Sequence, residues 1–152
     1  MSVAIHERAG RVLVADDDHA SRMLLGRILA PIGFDITYAE NGQKALELFD
    51  HAGGAFDIVI TDICMPEMNG DDLIRAILGR RPGMPIVAIS GYAGPELVHA
   101  LAACDAVLFE KPINVRAMRA HVEALAATRQ CGASSSASMC TISSHKASVA
   151  DR

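Results

Sequence analysis

The stretch VLVADDDHASR, residues 12–22, sets a short apolar run directly against three consecutive carboxylates, Asp16, Asp17 and Asp18. A continuous apolar run of this kind reads as a strand buried on both faces, as in a parallel sheet flanked by helices. Three adjacent anions repel one another unless something offsets the repulsion. The run therefore poses two questions: what sheet it belongs to, and what makes the carboxylates tolerable at its end.

The pattern repeats along the chain. Short β-rich runs occur at residues 12–15 (VLVA), 35–39 (DITYA), 57–61 (DIVIT), 85–90 (PIVAIS) and 106–110 (AVLFE). Three of these are nearly continuous apolar stretches, whereas DITYA is mixed, which suits an edge strand. Between them the apolar residues take helical spacing. Leu24, Leu25, Ile28 and Leu29 form the first set, then Ala45, Leu46 and Phe49 behind an Asn41 cap. Leu73, Ile74 and Ile77 follow, then Leu97, Val98 and Leu101 behind Pro95. Val115, Met118, Val122 and Leu125, behind an Asn114 cap, close the series. All of these read as core packing. Pro31 falls in the last turn of the first helix and should end or kink it. Five strands alternating with five helices predict an α/β fold, a (βα)5 doubly wound parallel sheet with right-handed crossovers.

Composition supports this reading and excludes others. The chain has 152 residues, enough for one domain with a real core, and 51% are hydrophobic, which argues against disorder throughout. A net charge of −4 and a pI near 5.8 give no basic footprint, so no direct nucleic-acid partner is expected. No segment approaches the roughly 18 consecutive apolar residues of a membrane span, and MSVAIHERAGR has no apolar core long enough for a signal peptide. A cytoplasmic protein without membrane partners is the expectation. Cys64, Cys104, Cys131 and Cys140 contain no CxxC pair, and Cys131, Cys140 and His145 match no standard metal spacing, so all four read as reduced thiols.

In a doubly wound sheet the reactive groups gather at the carboxyl ends of the strands. Those ends carry Asp16-Asp17-Asp18, Thr61-Asp62, Ser90-Gly91 and Glu110-Lys111-Pro112. Brought together, they make a site of carboxylates, one hydroxyl and one amine. Clustered carboxylates are hard oxygen donors and suit Mg²⁺, which would offset the repulsion among Asp16, Asp17 and Asp62. A carboxylate beside Mg²⁺ and a lysine can attack a phosphoryl group and form a mixed anhydride. Lys111 would neutralise phosphoryl oxygens, and Ser90 could donate a hydrogen bond to one of them. Asp18 stands one residue later and reads as the cap of the first helix, accepting from the backbone N–H of Ala20 or Ser21.

VLVADDD, DIVITDICMPEMNG, PIVAISGYA and LFEKP, in this order and at this spacing, resemble the receiver domain of two-component response regulators. The resemblance spans most of the chain. It implies a flavodoxin-like three-layer sandwich with strand order 2-1-3-4-5. The composition changes near Arg129, so the chain divides into an N-terminal extension (1–8), a receiver domain (9–129) and a Ser/Ala-rich tail (130–152) that reads as disordered. The resemblance makes Asp62 the phosphoacceptor, Lys111 the phosphoryl-binding lysine and Ser90 the switch hydroxyl. Mg²⁺ falls to Asp16, Asp17, Asp62 and the backbone carbonyl of Cys64, and the Lys111–Pro112 peptide is expected to be cis. The implied partners are a histidine kinase or a histidine phosphotransfer protein, with a downstream target on the surface of the fourth helix, fifth strand and fifth helix, including Val98, Leu108 and Arg116.

Such a protein is a signalling phosphoacceptor rather than an enzyme, and with no second domain after Arg129 it reads as a stand-alone receiver, or as one excised from a hybrid kinase. Leu108, three before the lysine, departs from the family's usual Tyr or Phe, and Phe109 should point into the core. Tyr92 either overhangs the site or is a half-exposed loop aromatic. Two alternatives remain. Asp16-x-Asp18 after a strand also resembles haloacid-dehalogenase-type phosphohydrolases, with Asp16 as nucleophile, but His19-Ala20 replaces their Gly-Thr and no acidic pair follows Lys111. The other is a receiver-shaped interaction module that is never phosphorylated.

Overall fold

A computed structural model describes the backbone of residues 9–104 and 106–132, and side chains up to residue 128. The extension 1–8, the tail beyond 132 with Cys140 and His145, and the Cys131 side chain lie outside the described residues. The strands are β1 (Gly10–Ala15), β2 (Phe34–Ala39), β3 (Ile58–Asp62), β4 (Ile86–Ser90) and β5 (Val107–Glu110). The α-helices are α1 (His19–Leu29), α2 (Gly42–His51), α3 (Gly70–Arg80), α4 (Pro95–Ala103) and α5 (Val115–Gly132). All strand pairs are parallel, in the order β2-β1-β3-β4-β5. The mixed run DITYA does form an edge strand, while the apolar runs of β3 and β4 are buried along their whole length.

Period-2 alternation divides the core into two layers. Val12, Val14, Ile58, Ile60, Val87 and Ile89 meet Leu25, Ile28 and Leu29 of α1 and Met118 and Val122 of α5. Leu13, Val59, Ile86 and Ala88 meet Ala45 and Phe49 of α2, Leu73, Ile74 and Ile77 of α3, and Leu101 of α4. Each fully buried Leu or Ile contributes about 1.5–3 kcal/mol. The helical period overstates the core at three positions: Leu24, Val98 and Val115 are exposed. Leu24 turns about 100° away from Leu25 around the helix, Val115 begins α5 beyond the sheet, and the short, mostly apolar α4 buries only Leu101.

Local signals set the helix ends. The carboxylate of Asp18 accepts from Ser21 N at 3.1 Å, Asn41 Oδ1 from Lys44 N at 2.7 Å, and Asn114 Oδ1 from Ala117 N at 3.0 Å. Pro31 does end α1: the chain tightens into a 3₁₀ turn, Ala30–Ile32, and Gly33 at φ 103° leads it into β2. The α5 helix continues to Gly132, past the change in composition at Arg129. Among the described residues no helix is long and apolar enough to cross a membrane.

Candidate functional site

Register assembles the site. Ala15 of β1 pairs with Thr61 of β3, so the next residues, Asp16 and Asp62, stand level at the sheet edge. Asp62 pairs with Ile89 and Ser90 with Glu110, which brings Ser90 and Lys111 to the same edge. The Lys111 amide also donates to Ser90 O at 2.8 Å, and the Lys111–Pro112 peptide is cis. Carboxylate oxygens of Asp16, Asp17 and Asp62 lie within 4.8 Å of one another. Lys111 Nζ donates to Asp62 Oδ2 at 3.0 Å and stands 4.0 Å from Asp16 Oδ2.

The carboxylates occupy different environments. Asp17 is exposed, Asp62 is buried, and Asp16 has no exposed surface. Asp16 Oδ1 accepts from the Asp18 amide at 2.9 Å, but its buried Oδ2 has no hydrogen-bond partner. Burial pushes the Asp16 pKa up to about 6; the Asp62 charge adds to this, while the Asp18 amide and Lys111 oppose it. Burial pulls Lys111 down, yet the Asp62 hydrogen bond and the charges of Asp16 and Asp62 outweigh it and hold the ammonium above its ordinary value. Asp18 faces solvent, and its bonds to the Ser21 hydroxyl and amide keep its pKa low. A buried oxygen without a donor, beside two further carboxylates, fits a hard cation such as Mg²⁺. Cys64 belongs to the same loop, and its amide donates to Asp62 Oδ1 at 3.3 Å.

The buried Ser90 hydroxyl is turned into its own loop, donating to Tyr92 O at 2.6 Å and accepting from Tyr92 N at 3.2 Å. Tyr92 is 80% exposed, with its ring edge against Gly94. Leu108 pairs with Ala88 and packs into the layer of α2–α4, the face to which Ser90 also alternates. Phe109 faces the opposite layer, its ring 5.8 Å from His121.

Three residues escaped the sequence reading. A Cβ on Gly70 would lie 2.1 Å from Asp62 O, so α3 starts directly beneath the end of β3. A Cβ on Gly42 would lie 2.5 Å from Met68 O, so the β3–α3 loop, turned by Glu67 at φ 67°, rests on the first residue of α2. Arg22 Nη1 donates to Asp16 O at 2.7 Å. A glycine opening a helix behind Asn is a visible signal for the first two; nothing local marks Arg22.

The sequence matches the response regulator receiver domain over residues 12–123. It is 33% identical over 114 residues to the response regulator receiver protein CpdR of Brucella abortus, covering 74% of this chain and 93% of CpdR. It is 39% identical over 82 residues to the sensor kinase CckA of the same organism, covering 54% of this chain but only 9% of the kinase. The chain likewise spans less than a third of the length of several other curated relatives it matches. Among solved structures, a CheY-like receiver domain protein from Methanospirillum hungatei superposes with a TM-score of 0.73 at 25% identity, covering 80% of this chain and 97% of that one. A match that begins in the first strand and ends in the last helix, on the same sheet order, makes this chain a member of the response regulator receiver domain family.

Proposed function

We propose that this receiver domain accepts a phosphoryl group from a phosphohistidine onto Asp62 and changes conformation to control partner docking. The observation that carries the reading is the Lys111 ammonium 3.0 Å from Asp62 Oδ2, beside a cluster of three carboxylates. An Asp62 oxygen attacks phosphorus, the P–N bond breaks, and its electron pair leaves on the imidazole nitrogen. Mg²⁺ held by Asp16, Asp17, Asp62 and the Cys64 carbonyl supplies neutralising charge when bound. Lys111 adds a fixed cation where the phosphoryl oxygens arrive. To reach them, Ser90 must exchange its two bonds to Tyr92 for one to the phosphoryl group, which carries the β4–α4 loop with it. Without an aromatic ring at Leu108, the exposed Val98 and Arg116 are left to report the change on the α4–β5–α5 face.

A histidine kinase or histidine phosphotransfer protein is the donor in this reading, supported by the resemblance to the sensor kinase CckA. In this reading the exchange takes place in the cytoplasm. Incubation with Mg²⁺ and acetyl phosphate should add about 80 Da, one phosphoryl group, to the intact mass. Asp62→Asn should abolish the gain. An adduct that survives Asp62→Asn but is lost in Asp16→Asn would indicate the phosphohydrolase chemistry instead. No adduct on a folded protein would indicate a silent interaction module. Ser90→Ala should still take up phosphate yet respond weakly to it; full partner affinity in the phosphorylated variant would sink the switch role.

A further inference from the structure

The turn between β1 and α1 places two of the three clustered carboxylates, and its backbone is held from both sides. The Asp16 amide donates across to Ala39 O at 3.1 Å, and the Asp18 amide donates back to Asp16 Oδ1 at 2.9 Å. The Asp16 carbonyl lies past the last ladder pair of β1, beyond the reach of the sheet. It is met instead by Arg22, one turn into α1, whose Nη1 donates to it at 2.7 Å while Nη2 stands 3.5 Å from His19 Nδ1. We propose that Arg22 is a positioning residue for the divalent-cation site: by holding the Asp16 carbonyl it fixes the peptide plane between Asp16 and Asp17, and with it the direction in which the Asp17 carboxylate is presented beside Asp16 and Asp62.

The proposal rests on the receiver reading of that site and extends it to a residue that offers no ligand atom. Asp17 is exposed, so its aim depends on the backbone that carries it rather than on packing around the side chain. A planar guanidinium holds a carbonyl in a fixed direction, which a hydrated ammonium does less well. Charge and geometry predict opposite signs here. As a charge alone, Arg22 repels the cation, and removing it should tighten binding. As a positioning group, its removal loosens the Asp17 carboxylate and weakens binding, as loss of groups behind metal ligands commonly does by 10–100-fold.

The test is Mg²⁺ titration calorimetry on the full chain, paired with urea unfolding in EDTA. Arg22→Met keeps the aliphatic stem and removes the donor; it should bind Mg²⁺ about tenfold more weakly while remaining folded without metal. Arg22→Lys keeps the charge but not the fork and should lose severalfold; it carries the test should the Met variant not fold. Binding equal to or tighter than wild type in Arg22→Met, or wild-type affinity in Arg22→Lys, overturns the proposal. Acetyl phosphate labelling in parallel separates the two readings. A wild type that binds Mg²⁺ but takes up no phosphate overturns the phosphoacceptor role and leaves the Arg22 comparison decisive. A wild type that binds no Mg²⁺ overturns both.

Discussion

Replacing Asp16 with Asn probes the electrostatics of the sheet edge. The carboxylate is fully buried, Oδ2 has no hydrogen-bond partner, and its pKa rises from 3.8 to about 6. Below 3.8 the group is protonated in folded and unfolded chains alike. Between 3.8 and about 6 the unfolded chain releases its proton while the folded chain keeps it. Above that, the folded chain holds a poorly solvated charge. Stability of the metal-free protein therefore falls as pH rises through the folded pKa, by about 3 kcal/mol in all. Asn retains an acceptor for the Asp18 amide and carries no charge, losing only the 4.0 Å attraction to Lys111. Asp16→Asn should thus be more stable than wild type by up to about 3 kcal/mol near pH 8 in EDTA, and about equal to it near pH 4. Urea unfolding followed by circular dichroism measures both. Mg²⁺ should shift the ranking toward wild type, since a ligand at a hundred times its Kd stabilises by about 2.7 kcal/mol. A variant no more stable than wild type near pH 8 in EDTA, or one whose advantage persists unchanged at pH 4, would refute the desolvation argument.

Gly70→Ala should cost about 1–3 kcal/mol and slow phosphorylation together, because the new Cβ meets the Asp62 carbonyl and no rotamer change relieves a backbone contact; wild-type stability by urea unfolding would contradict the close approach. Asp18→Ser should keep both helix cap and Mg²⁺ affinity, Asp18→Ala should lower Tm, and Asp17→Ala should largely abolish Mg²⁺ binding. Equal Mg²⁺ losses at positions 17 and 18 would show that the two carboxylates do not divide their roles. Burial holds His121 below its ordinary 6.5, so its contribution to stability is present above that pH and is lost as pH falls through the lower, folded value. NMR titration of its ring should show the low midpoint, and a midpoint at or above 6.5 would argue against a neutral ring packed on Phe109.

The strands and their order of burial were legible because two-sided burial writes itself as a continuous apolar run, as in β3 and β4. The caps were legible because each joins residues three apart, as Asp18 to Ser21 and Asn41 to Lys44. The two orientations left open for Tyr92 differ in loop path, which no residue pattern encodes, and the structure turns the ring into solvent. The exposure of Leu24 and Val98 followed from where each helix lies on the sheet, which periodicity alone does not locate.

The three adjacent aspartates show the boundary most clearly. Sequence alone determined that they end a strand and that Asp18 starts the next helix, since strand and cap are local. Only the tertiary structure decided that Asp16 is buried with an unpartnered oxygen while Asp17 faces solvent. It also set a lysine against Asp62, a glycine beneath it and an arginine behind Asp16. The physical reason is range: propensity and capping act over a few residues. Burial of Asp16 and the opposing charges of Asp62 and Lys111 beside it, by contrast, come from chain packing, not chain order.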